Sequence, residues 1–235
     1  MGVCSSTMSA PPGVIAKAAA GLANLAAVLG AVLFVSAGTL RFFEGWMFLA
    51  IFTSASLAIT VYLARKDPAL LERRTQAGPL AEKERSQKVI QGIAGLAFLA
   101  TVAVPALDHR FGWTHAPPIA IVAGDAFVGA GFWIVYRVFR ANTFTSAVIE
   151  VAGEQQVIDT GPYAVVRHPM YAGALVLIAG IPLALGSLVG LAMLVPFVGI
   201  LVWRLRDEER FLARELRGYA EYQTKTRYRL LPGIY

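Results

Sequence analysis

Five long stretches of this chain contain almost nothing but apolar residues, and that pattern limits the fold more than any other feature. They run from about Val14 to Ala37, Trp46 to Ala64, Val89 to Leu107, Pro118 to Phe139 and Ala172 to Trp203. A helix needs about 20 apolar residues to cross the hydrocarbon of a bilayer. Inside lipid, only helices and closed barrels pair all their backbone N–H and C=O groups, and no period-two alternation supports a barrel here. The last stretch is 32 residues long, with Pro182, Gly186 and Ser187 near its middle. That exceeds one straight span and reads as a tight hairpin of two helices. The expected fold is therefore an all-α integral membrane protein of about six transmembrane helices, the last two forming the hairpin. Composition agrees: 15% of residues are charged, against about 25% in a soluble domain.

The formal charge of +6 does not point to nucleic acid, because the basic residues cluster in the breaks between apolar runs, where membrane topology explains them. With both termini inside, loop 65–88, loop 140–171 together with Arg137 near the end of the preceding span, the tail after Trp203 and Lys17 share one face. That face holds nineteen of the 21 Lys and Arg residues, and only Arg41 and Arg110 fall on the other. The expectation is a multi-pass protein with both termini and its polar segments cytoplasmic. Cys4 is the single cysteine, which excludes a disulfide framework and a cysteine-based metal site. His109, His115 and His168 lack zinc-ligand spacing, so no metal is expected, and residues 1–13 lack the pattern of a signal peptide. Gly186 and Gly190 have the small-xxx-small spacing of close helix packing.

Two polar clusters interrupt this apolar background. Residues 159–173 read DTGPYAVVRHPMYAG, and 204–209 read RLRDEE. Pro169 suits the first turn of a helix, which puts His168 at the cap beside free backbone N–H groups. Arg204 and Glu208 are four apart and share a face if the helix continues past Trp203. Either cluster alone reads as a snorkelling belt at a span boundary. A helical hairpin, however, brings its two ends together, so 167–171 and 204–209 are expected to meet and bound a polar pocket under an apolar roof.

The run from Val157 to Gly173 (VIDTGPYAVVRHPMYAG), followed by EExxL at Glu208–Leu212 and GYxxY at Gly218–Tyr222, closely resembles the isoprenylcysteine carboxyl methyltransferase family, which is related to the membrane phospholipid methyltransferases. The resemblance covers about residues 140–235. It divides the chain into N-terminal transmembrane helices over 1–139 and a methyltransferase core over 140–235. It implies a membrane enzyme that uses S-adenosyl-L-methionine on the cytoplasmic side, and the sequence contains no Rossmann glycine motif. Matched by position, the cofactor contacts fall on Gln155, Gln156, Val157, Ile158, Tyr163, His168, Pro169, Met170, Tyr171 and Glu208. Arg204 matches the arginine implicated in substrate handling. His168 and the helix start suit the methionyl carboxylate, Glu208 the α-amino group, Tyr163 or Tyr171 the sulfonium, and the 155–158 strip the adenine. Arg204, Glu208 and Arg167 are the candidate catalytic groups, although Arg167 serves equally to orient substrate or to anchor the helix end. The implied acceptor is a lipophilic small molecule or prenylated substrate drawn from the membrane lipids.

Two other readings compete. A membrane sterol or lipid reductase shares similar C-terminal patterns but uses NADPH; it needs several basic residues for the 2′-phosphate, and strip 150–171 offers only Arg167. A non-enzymatic scaffold or transporter would read Asp125 and Arg137 as a permeation pair.

Overall fold

The structure is a computed structural model that describes residues 10–75, 85–145 and 156–235. Among them, eight α-helices follow in order: α1 Pro12–Ala37, α2 Phe43–Lys66, α3 Pro68–Thr75, α4 Arg85–Phe111, α5 Pro118–Ala141, α6 Pro169–Ala184, α7 Leu194–Glu215 and α8 Tyr219–Lys225. Short 3-10 turns at Gly161–Ala164 and Val189–Met193 precede α6 and α7. No strand occurs among the described residues. Prolines start α1, α5 and α6, where a fixed φ costs nothing and the missing N–H would be unpaired in any case. Gly38 ends α1 at φ 67, its N–H donating to the Phe34 carbonyl at 3.0 Å.

Among the described residues, five helical segments are long and apolar enough to cross a membrane: α1, α2, α4, α5 and the continuous Val189–Glu215 segment that contains α7. The sixth expected span, α6, has 16 residues, a rise of about 24 Å against a hydrocarbon core of about 30 Å. The outward faces are apolar: Val35, Ile119 and Val195 are each about three-quarters exposed. Water would penalise such a surface, whereas lipid does not. The core holds Leu29, Leu33, Phe48, Phe52, Val102, Val128, Ile178 and Ile181, and the rings of Phe52 and Phe132 meet edge to face with centroids 4.9 Å apart.

The hairpin expectation is changed in one respect. α6 packs along its length against α5, antiparallel to it, and touches α7 at few places. Glycines set that choice. A Cβ on Gly131 would lie 2.5 Å from Leu177 Cβ, and one on Gly180 would lie 2.6 Å from the Gly124 carbonyl oxygen. Gly124 and Gly131 on α5, and Gly173 and Gly180 on α6, are seven residues apart, so each pair faces one side of its helix and lets the backbones approach. Gly190, singled out by its spacing from Gly186, does pack closely, with a Cβ position 2.7 Å from Pro105 Cγ. Gly186 instead adopts φ 74 in the turn after α6. With α6 held against α5, its other side and α7 stand apart and leave room between them.

Two short helices lie in stretches that read as polar connection. α3 begins at an Asp-Pro step: the Leu70 N–H donates to Asp67 Oδ1 at 2.9 Å, an N-cap bond with proline in the first turn. α8 follows Gly218, which sits at φ 85.

Candidate active site

At the basic end of the bundle, α7 continues as a helix through Arg204 and Glu208 to Glu215, while α6 starts at Pro169 with His168 at its N-cap. The ends of α6 and α7 therefore do meet, although the helices diverge between them. Tyr171 forms the first link. Its hydroxyl donates to Glu208 Oε2 at 2.5 Å and accepts from Arg204 Nε at 3.1 Å. Arg204 reaches on to α4, donating from Nη1 to Gln87 Oε1 at 3.0 Å, and the Gln87 amide donates to Asp207. Gln87 is buried, so this clasp fixes the start of α4 against the polar end of α7.

The second link is centred on Glu209, one residue further along α7. Arg167 Nε donates to Glu209 Oε1 at 2.7 Å, and His168 Nε2 lies 3.3 Å from the same oxygen. Arg229 Nε donates to Oε2 at 2.8 Å. Arg167 Nη1 also donates to the Thr226 and Arg227 carbonyls at 2.8 and 2.9 Å. The Arg167 and His168 backbone N–H groups donate to Tyr228 and Arg229 carbonyls, both at 2.9 Å. Arg167, His168 and Glu209 are all buried. Together they clamp the tail across the ends of α6 and α7. Of the two functions open to Arg167, these contacts serve the anchoring one.

A cavity of about 710 Å³ opens beside these links. Gln156, Val157, Ile158, Tyr163, Arg167, His168, Pro169, Met170, Tyr171, Arg204 and Glu208 all line it. Gln155 lies outside the described residues. The other end of the cavity is apolar and enters the bundle, bounded by Phe52 of α2, Phe98 of α4, Phe132 of α5, Leu177 and Ile178 of α6 and Phe197 of α7. Among the described residues no side chain caps the α6 N-terminus, and its first residues Pro169, Met170 and Tyr171 line the polar end of the space. Burial pushes the Tyr163 phenol up to about 12, with Asn142 Nδ2 donating to its oxygen at 3.0 Å. At neutral pH it stays protonated and is a donor rather than a base.

Sequence reasoning missed several lining groups. Tyr219 is 4% exposed and lines the cavity, and its buried hydroxyl has no hydrogen-bond partner among the described residues. Its signal was present in the GYxxY motif, which served to identify a resemblance and not to nominate a ligand contact. Arg74 arrives from α3, its guanidinium 5.2 Å from the Phe139 ring centroid. With Arg204 and Arg167, it gives the cavity more basic side chains than strip 150–171 alone supplies. Phe52, Phe98 and Phe132 were indistinguishable in sequence from other lipid-facing or core aromatics. Asp125 and Arg137 do not form a permeation pair. They are twelve residues apart on one helix, about 18 Å along its axis, and Arg137 instead lies 5.2 Å from the Trp133 ring centroid.

Comparison with known proteins finds two partial similarities. A Delta(14)-sterol reductase of Mus musculus is 32% identical over 105 residues, which cover 41% of this chain and 25% of that protein. The chain therefore spans about a quarter of the length of that relative. The family model for phospholipid methyltransferases matches residues 119–218, from α5 through the residue before α8. That segment, which carries the glycine-packed helix pair and most of the polar cavity wall, is thus similar to the membrane phospholipid methyltransferases.

Proposed function

We propose that the chain is an integral membrane methyltransferase that takes S-adenosyl-L-methionine at the polar end of the cavity and a lipophilic acceptor at its apolar end. One observation carries this reading: a single cavity joins a polar wall built from Tyr163, His168–Tyr171, Arg204 and Glu208 to an aromatic recess inside the bundle. The donor set fits the cofactor's charges. The open α6 N-terminus and His168 would hold the methionyl carboxylate, and Glu208, which retains a second carboxylate oxygen beyond its Tyr171 bond, would hold the α-amino group. Tyr163 and Tyr171 would offer ring faces to the sulfonium, and the backbone of 156–158 would border the adenine. When bound, the cofactor supplies an electrophilic methyl group for in-line displacement.

The protein's own contribution is position and dryness. Arg204, oriented by both Tyr171 and Gln87, would steer an acceptor oxygen, nitrogen or sulfur toward the methyl. Phe52, Phe98, Phe132 and Phe197 would hold its apolar part and exclude water. Residues 140–235 would thus form the methyl-transfer core, and the helices before them would shape the acceptor end. The cavity end also carries Arg65, Lys66, Arg73 and Arg140 at helix termini. Arg110 instead packs beside Gly38 at the far end, which supports a cytoplasmic cavity mouth.

The sterol reductase similarity and the cavity's three arginines favour a second reading, reduction of a lipophilic substrate by NADPH. Calorimetric titration of S-adenosylhomocysteine and, separately, NADPH into detergent-purified protein decides between them. Saturable S-adenosylhomocysteine binding that Glu208→Gln weakens about tenfold, equivalent to about 1.4 kcal/mol, supports the methyltransferase. NADPH binding without S-adenosylhomocysteine binding transfers the assignment to the reductase.

A further inference from the structure

On the outer side of the Glu209 clamp lies a second concavity, of about 490 Å³, lined by Arg206, Glu209, Arg210, Ala213, Gln223 and Arg229. It shares no lining residue with the main cavity, and nothing in the proposed methyl transfer uses it. We propose that this groove is a binding site for the phosphate of an anionic membrane phospholipid.

Three observations carry the proposal. The first is charge. Three guanidiniums face the groove, and the carboxylate that lines it, Glu209, is already engaged by Arg167 and His168 from within and by Arg229 from without. Asp207 lies 4.0 Å from Arg210 at the rim and offsets one charge in part. Positive charge therefore remains, on planar donors suited to phosphate oxygens.

The second is level. Trp203, half-exposed, is the last apolar residue of the long run in α7. Arg206 follows it by about 4.5 Å along the axis, within the headgroup layer, which extends about 5–7 Å beyond the hydrocarbon on each side. Arg210, about 10 Å along, starts beyond that layer, and its side chain slants back toward the helix N-terminus and so toward the layer. Arginine stems emerging there lie among lipid phosphates. The third is the tail that closes the groove. It leaves Tyr228, Leu231 and Ile234 exposed beside Arg229, with Ile234 at 81%, an apolar surface that suits a segment lying against a bilayer. Arg206 Nε donates to the Tyr235 hydroxyl at 3.2 Å, and Arg229 lies 5.2 Å from the same ring's centroid, so two of the three arginines are held ready by the tail.

The test is native mass spectrometry of the full chain released from detergent micelles doped with phosphatidylglycerol or with phosphatidylcholine. Expected is one phosphatidylglycerol retained in preference to phosphatidylcholine, with retention falling by on the order of 10-fold in the Arg206→Gln/Arg210→Gln variant. A charge-matched control, Arg214→Gln/Arg217→Gln, alters arginines outside the groove and should leave retention unchanged. Arg210→Gln alone, at a side chain 74% exposed, should lower it by about 3-fold and serves if the double variant misfolds. Equal losses in the groove and control pairs, or no preference for the anionic lipid, would overturn the proposal. So would displacement of the lipid by millimolar inorganic phosphate, because the site would then be one for a soluble anion. These outcomes are read without cofactor and are independent of the methyltransferase assignment.

Discussion

The two ends of the bundle use the same kinds of polar residue to opposite effect. At the end away from the cavity, Asp108 is buried near the C-terminus of α4. Its Oδ1 accepts from the Thr114 N–H at 2.7 Å, and its Oδ2 accepts from the Thr114 and Ser187 hydroxyls, both at 2.5 Å. The Thr114 and Ser187 oxygens in turn accept the N–H groups of Leu188, Val189 and Gly190 at 3.0–3.2 Å. This acid is satisfied within the protein, and its partners tie the α4–α5 connection to the turn between α6 and α7. At the cavity end, Glu208 has the Tyr171 hydroxyl on one oxygen, while among the described residues the Tyr219 hydroxyl has no hydrogen-bond partner and the α6 N-terminus no side-chain cap. A satisfied buried polar group fastens the fold, whereas an unsatisfied one beside an open space is available to a ligand.

Within the cavity end, Glu209 belongs by this criterion with the knot at Asp108, not with Glu208. Glu209→Ala would leave Arg167 buried without its carboxylate, and breaking such a pair costs about 3–5 kcal/mol. Thermal melting in detergent should fall further for this substitution than for any at Asp108, Glu208 or Tyr219. Retention of the wild-type melting temperature would mean that Glu209 is not a structural acid at all.

Asp108→Ala is the corresponding test at the other end. It orphans two hydroxyls that now donate to the carboxylate, at about 1–3 kcal/mol for the unsatisfied groups. Melting should fall, while S-adenosylhomocysteine affinity per folded molecule stays unchanged, because no residue of the knot lines the cavity. A matching loss of affinity would show that the two ends are coupled through α6.

Tyr219→Phe sharpens the contrast further and has the smallest effect. It deletes a hydroxyl that the free protein leaves unpaired, so melting should hold or rise slightly. If the ligand completes that hydroxyl, affinity should fall by about 1 kcal/mol, or roughly 5-fold. Lower stability with unchanged affinity would place Tyr219 among the structural groups.

Much of this was legible in one dimension. Length and polarity of the apolar runs specify helices in lipid, because a backbone without water must pair with itself. Pro169 marked the start of α6, and the closeness of 167–171 to 204–209 followed from chain direction alone. Other features depended on helix rotation and partner choice. One step along α7 turns a side chain by about 100°, so Glu208 lines the cavity while Glu209 is sealed behind it, although they are identical neighbours in sequence. The seven-residue glycine spacings on α5 and α6 were visible, but only packing shows that they face each other and draw α6 away from α7. The sequence by itself determined that this chain is a bundle of membrane helices with a basic, motif-bearing end. The tertiary structure decided where that end opens into a cavity, because burial and hydrogen-bond completion are set by neighbours far apart in the chain.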